Sequence, residues 1–220
     1  MPNTLDASNA MQRVLNKYEA YLPGGLASKV RSMNPAKIFR ILPAAQYKPY
    51  FDAVFRNFFA AINVSACGGT QKVIGVANDP GHAYDKFACP AFCAPAVNPT
   101  DRVIYVNRDA GVTTGTLYHE FIHYLSHGNF YPEFYSMGGN SPIILEGVTE
   151  FLTSAVARDV QHDRATQKKY EAWFTQVSRD ISGISGAPLD SLARLAFQGD
   201  MTVVTQLGGV VPHYLRTASA

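Results

Sequence analysis

The chain has 220 residues, of which 47% are apolar and 16% charged, with a formal charge of +2. Such a chain folds from about 35,000 Å² of extended surface to roughly 10,000 Å², enough for a core that needs neither disulfides nor metal to hold it together. It is too apolar for disorder, too weakly charged for a long coiled coil, and too nearly neutral for an electrostatic nucleic-acid binder.

The amino end, from Met1 to Leu22, lacks the basic start, apolar run and small-residue cleavage site of a secretory signal. No segment reaches the roughly eighteen consecutive apolar residues of a membrane span; the greasiest, Tyr50 to Ile62, is broken by Asp52, Arg56 and Asn57. The expectation is a soluble protein, either cytosolic, exported without a cleaved signal, or excised from a longer chain. Cys67, Cys89 and Cys93 are too few for a disulfide scaffold. They allow one bridge with a thiol left over, or three free thiols in a reducing compartment.

In chain order, the first third reads as helices. Met11, Val14, Leu15, Tyr18 and Leu22 recur at helical spacing until Pro23, Gly24 and Gly25 stop them, and Asn34-Pro35 opens a short second pattern. A third begins near Pro49, where Tyr50, Phe51, Val54, Phe55, Phe58, Phe59 and Ile62 make a broad apolar face that reads as core. The β-branched runs Lys72–Ala77 and Arg102–Asn107 predict a small sheet, separated by a loop rich in proline, alanine and cysteine. Helices are then expected from about Thr113 to Ser126, from Ser141 to about Asp159, from Arg164 to Ile181, and near Leu189 to Phe197. Between the first two of these, Gly128 to Asn140 reads as a long aromatic loop.

The chemistry concentrates in His119-Glu120-Phe121-Ile122-His123. Histidines four apart project from one helix face about a turn from each other, close enough to bind one small cation. Glu120, one residue along, stands beside such a metal rather than on it, where a carboxylate can take a proton from a metal-activated water. Chance produces this string in under about one in a hundred chains of this length, and here it is flanked by apolar Leu117, Phe121, Ile122 and Leu125, which seat the helix in a core.

A catalytic zinc needs a third protein ligand and an open position. Downstream lies an apolar helix carrying Glu146-Gly147-Val148-Thr149-Glu150, with its two acids one turn apart. Buried acids require a cation or histidine opposite. The economical assignment makes Glu146 the third ligand, with Glu150 accepting an N–H from a ligand imidazole, that of His119. The competing interpretation is two solvated acids on an ordinary amphipathic helix.

These two motifs together resemble the zincin metallopeptidases, specifically the gluzincin branch, in which a downstream glutamate completes the zinc site. The resemblance covers about Arg102 to Asp159 and implies a single α+β domain, mostly helical with a small sheet next to the zinc helix. Residues 1–66 would form a helical amino-terminal part and 67–220 the catalytic part. It further implies that the strand Arg102–Asn107 is an edge that pairs with extended substrate. The metzincin branch fits less well: His127 would remain on the helix of His123, and no glycine turns the chain between them. His127 is read as a rim residue or an outer partner of the site. A peptidase also needs an oxyanion donor, for which Tyr131, Tyr135 and His213 are candidates. His82 and His162 show no partner pattern.

The expected function is zinc-dependent hydrolysis of peptide bonds. His119, His123 and Glu146 would hold Zn2+, and Glu120 would serve as general base; the partner is a protein or peptide substrate, not nucleic acid. The compact layout also resembles toxin or effector domains injected by bacterial secretion machines, which implies a delivery or immunity partner. Two alternatives stand beside this reading: a zinc-bound scaffold that binds a peptide without cutting it, and a cysteine hydrolase using Cys89 or Cys93. The second lacks a helix N-terminus to lower a thiol pKa.

Overall fold

The computed structural model describes residues 4–61, 91–94, 96, 99–133, 141–157 and 188–202. Among these are seven α-helices and three strands: α1 (Thr4–Tyr18), α2 (Leu26–Arg31), α3 (Pro35–Ile38), β1 (Phe39–Leu42), α4 (Ala44–Ala61), β2 (Ala91–Ala94), β3 (Val103–Asn107), α5 (Thr114–Leu125), α6 (Ser141–Val156) and α7 (Pro188–Gln198). The fold is mostly helical with one small sheet, as expected. No helix among the described residues is long and apolar enough to cross a membrane.

Local chemistry sets several helix ends. Asn34 caps α3, its side-chain oxygen accepting from Ala36 N at 2.9 Å, and Pro35 fills the first helical position where no N–H is needed. Thr113 caps α5 through Oγ1, which accepts from Thr116 N at 3.2 Å. Asp109 reaches back from beyond β3 to accept from Ala44 N at 2.9 Å, capping the start of α4. That N–H, together with the Arg108 side chain, holds the Asp109 carboxyl below its usual value.

The sheet has the order β1-β3-β2, with β1 parallel to β3 and β2 antiparallel to it. Period-two alternation divides its side chains between two cores. Phe39, Ile104, Val106, Ala91 and Cys93 join the large core that contains α5, whereas Phe92 and Tyr105 meet Tyr47 and Phe51 of α4 on the opposite face. Helix α5 is the centre of the large core, since every residue from Gly115 to Leu125 is buried. Helices α1, α6 and α7 pack around it. The Tyr18 hydroxyl donates to Leu152 O at 2.6 Å, tying α1 to α6, and the Tyr18 ring meets Phe197 of α7 at 5.0 Å.

Four expectations need correction. The strand Val103–Asn107 is not an edge: β1 and β2 flank it on both sides, so its backbone groups already belong to the ladder. Its partners come from segments without a clear β signal, Phe39–Leu42 after a short helix and Ala91–Ala94 inside the cysteine-bearing loop; the run Lys72–Ala77 lies outside the described residues. His127 is not on the helix of His123, because the chain turns extended at Ser126. Helix α4 begins at Ala44 and carries Pro49 inside it, and Tyr50 on the expected core face is 41% exposed. In the aromatic loop, Asn129–Glu133 forms a single π-helical turn. The helix expected from Arg164 to Ile181 lies outside the described residues.

Beyond α5, His127 N donates to Ala196 O at 2.7 Å, and its ring packs on Gly199, whose φ is +67°. A Cβ at Gly199 would collide with that ring and occupy a backbone region unfavourable to L residues. Gly199→Ala is therefore expected to lower the stability read from urea unfolding by about 1–3 kcal/mol, whereas Gly24→Ala, with open space around it, should change it by less than about 0.5 kcal/mol.

Candidate metal centre

Helix α5 presents His119 and His123 to α6, both almost wholly buried at 6% and 2% exposure. Their rings lie nearly edge to face, with centroids 4.8 Å apart and Nε2 atoms 3.1 Å apart. Each Nδ1 meets a residue of α6. His119 Nδ1 lies 3.0 Å from Glu150 Oε2, and His123 Nδ1 lies 3.4 Å from Thr149 Oγ1.

The hydrogen-bond network sets the tautomers. Glu150 as a carboxylate can only accept, so His119 carries its proton on Nδ1. The Thr149 hydroxyl donates its single proton to Leu145 O at 2.8 Å and is therefore an acceptor toward His123 Nδ1–H. The two Nε2 atoms then meet at 3.1 Å, a separation at which they can share a proton or a cation. A tetrahedral zinc with Zn–N bonds of about 2.0–2.1 Å places its ligand nitrogens about 3.3 Å apart, close to the observed separation. Imidazoles with one nitrogen converging and the other tied to a carboxylate or hydroxyl are the donor set zinc takes. His119 and His123 are thus two donors of a type that zinc takes.

Glu120, also buried, lies on the next position of α5, near the sheet. Burial of Cys93 pushes its thiol above the ordinary pKa; the Arg102 charge opposes this, the Glu120 charge adds to it, and a hydrogen bond with Tyr131 opposes it. Cys93 is a free, buried thiol kept protonated, the opposite of what a nucleophilic cysteine needs. Cys67 and Cys89 lie outside the described residues.

Of the other residues singled out in the sequence, Glu146 sits on α6 one turn before Glu150, with its side chain outside the described set; Tyr135 and His213 are likewise outside. Among the described residues, no group of three or more His, Cys, Asp or Glu side chains is placed to hold a metal ion. His127 turns toward α7, its Nδ1 accepting from Asn129 N at 3.2 Å. Tyr131 does meet the site, but through its ring, which stacks on His123 at 4.6 Å; its hydroxyl donates to Cys93 O in the edge of the sheet.

Two participants were not anticipated. Thr149 lies inside the motif that drew attention to Glu146 and Glu150, yet a threonine on an apolar helix face gives no sign of receiving an imidazole N–H. Arg102 begins the β3 run and reads as a flanking charge; in the fold it is 2% exposed. Its Nη1 donates to His123 O at 2.6 Å, to Tyr124 O at 2.9 Å and to Ser126 O, and its Nε donates to Ala96 O at 2.7 Å.

Because His119 and Glu150 are buried together, removing one partner leaves the other desolvated. In protein treated with chelator, Glu150→Leu should lower unfolding stability by about 1–3 kcal/mol, while Glu150→Gln, which still offers an oxygen to Nδ1–H, should lose less than about half of that. Equal losses in urea titrations would contradict the assigned pairing.

No family model, curated protein or solved structure matches this chain.

Proposed function

We propose that this protein is a zinc-dependent hydrolase of peptide bonds. The observation carrying the proposal is the convergence of His119 Nε2 and His123 Nε2 at 3.1 Å, with their outer nitrogens anchored by Glu150 and Thr149. His119 and His123 would hold the metal, and Glu146, one turn before Glu150 on the helix facing them, would be the third ligand. When bound, zinc supplies Lewis acidity, polarising a carbonyl and lowering the pKa of water toward neutrality.

The chain's own residues do the rest. Glu150 orients the His119 ring through Nδ1, and Thr149 orients the His123 ring through its own Nδ1. Glu120 would take a proton from the attacking water and return it to the leaving amine. The same buried contacts between α5 and α6 also favour a second reading, in which zinc only braces the two helices and the protein binds a partner without cutting it.

Purified protein should bind about one zinc per chain at neutral pH, and His119→Ala or His123→Ala should abolish it; less than about a tenth of an equivalent after zinc addition would sink the proposal. Glu146→Ala should weaken metal binding further than Glu150→Ala, for which the loss should be about ten- to hundredfold. The opposite order would exchange their roles.

The enzyme and scaffold readings part at Glu120. Zinc-loaded Glu120→Gln should keep the metal and fold yet cleave a mixed peptide library at least about a hundredfold more slowly than wild type. A metal-loaded wild type that leaves such a library intact would favour the scaffold.

A further inference from the structure

Arg102 is an expensive residue to bury. A guanidinium removed from water is disfavoured by several kcal/mol unless well compensated, and burial here pulls its pKa below the ordinary value. Yet among the described residues no carboxylate pairs with it. Its partners are the carbonyls of Ala96, His123, Tyr124 and Ser126 and the face of Tyr131, whose ring centroid lies 5.0 Å from the guanidinium carbon. Its Nη2 is buried with no hydrogen-bond partner among the described residues. An apolar side chain would fill this position without leaving a donor unsatisfied, but it could not do what the guanidinium does.

Three of the four carbonyls belong to the carboxyl end of α5, where backbone acceptors lack helical donors and the helix dipole is negative. One of them is the carbonyl of His123 itself. The Tyr131 ring that receives the guanidinium stacks on the His123 imidazole at 4.6 Å and an interplanar angle of 23°, and its hydroxyl is fixed to Cys93 O. Arg102 thus reaches His123 by two routes, through its main chain and through its ring plane.

We infer that Arg102 is a positioning residue of the candidate metal centre: it clamps the end of α5 and, through Tyr131, holds the His123 imidazole in the orientation that aims Nε2 at the metal. This inference rests on the proposed zinc site and adds to it a layer formed by the loop after α5 and the residue just before β3. It also gives Tyr131 a role distinct from oxyanion stabilisation, since the ring rather than the hydroxyl does the work.

The test uses the full chain and reads zinc affinity by competition with a chromogenic chelator, and the visible absorption of cobalt-substituted protein. Tyr131→Leu, which removes the stacking ring, should weaken zinc binding by about ten- to hundredfold and change the cobalt spectrum, whereas Tyr131→Phe, which keeps it, should remain within about threefold of wild type. Arg102→Lys keeps the charge and loses the planar fork, and should weaken zinc by about tenfold with the same spectral change. Should Arg102→Lys fail to fold, the two Tyr131 variants decide. Wild-type affinity and spectrum in folded Tyr131→Leu would overturn the inference while leaving the zinc site standing. A wild type that binds no zinc would overturn both.

Discussion

A helix buried on every side must find partners for each polar group it carries, and this requirement organises the molecule. Helix α5 brings His119, Glu120 and His123, along with the carbonyls of its last turn, into an interior otherwise filled by Leu117, Phe121, Ile122 and Leu125. An unmatched polar group there would cost about 1–3 kcal/mol, and a charged one more. Helix α6 answers with Glu150 and Thr149, the residue before β3 answers with Arg102, and Ser126 turns its own hydroxyl back to Ile122 O at 2.7 Å.

Among the described residues the sheet has three strands. Three short strands suffice when both faces are covered, one by the core around α5 and the other by the aromatic cluster under α4. The stacks of Phe92 on Tyr105 at 5.2 Å and Phe39 on Phe121 at 5.9 Å place ring contacts on opposite sides of the sheet. Among the described strands β3 lies between β1 and β2, and β2 carries Cys93 near Glu120 and Tyr131.

The candidate centre is therefore more than a motif on one helix. The two histidines take their tautomers from α6, their seating from the core, and, for His123, the plane of its ring from Tyr131 and Arg102. Zinc sites work through such outer contacts, which fix orientation before the ion arrives. Cys93, near the same acid but held as a thiol by burial, belongs to the packing of the sheet rather than to nucleophilic chemistry.

Much of this was legible in the residues alone. Helical spacing placed His119 and His123 on one face, Thr113 marked the start of their helix, and the acids of α6 demanded a basic partner, which His119 supplies to Glu150. These are features of period and short-range chemistry, which a linear chain displays directly. The strand partners of β3 were not legible: Phe39–Leu42 and Ala91–Ala94 carry little β signal of their own and become strands because β3 offers them a ladder and α5 a surface. Nor could the residues alone show that Arg102 is buried or that Thr149 faces an imidazole. A flanking charge and a threonine read as surface until the tertiary structure encloses them, because burial depends on elements far apart in the chain meeting in space.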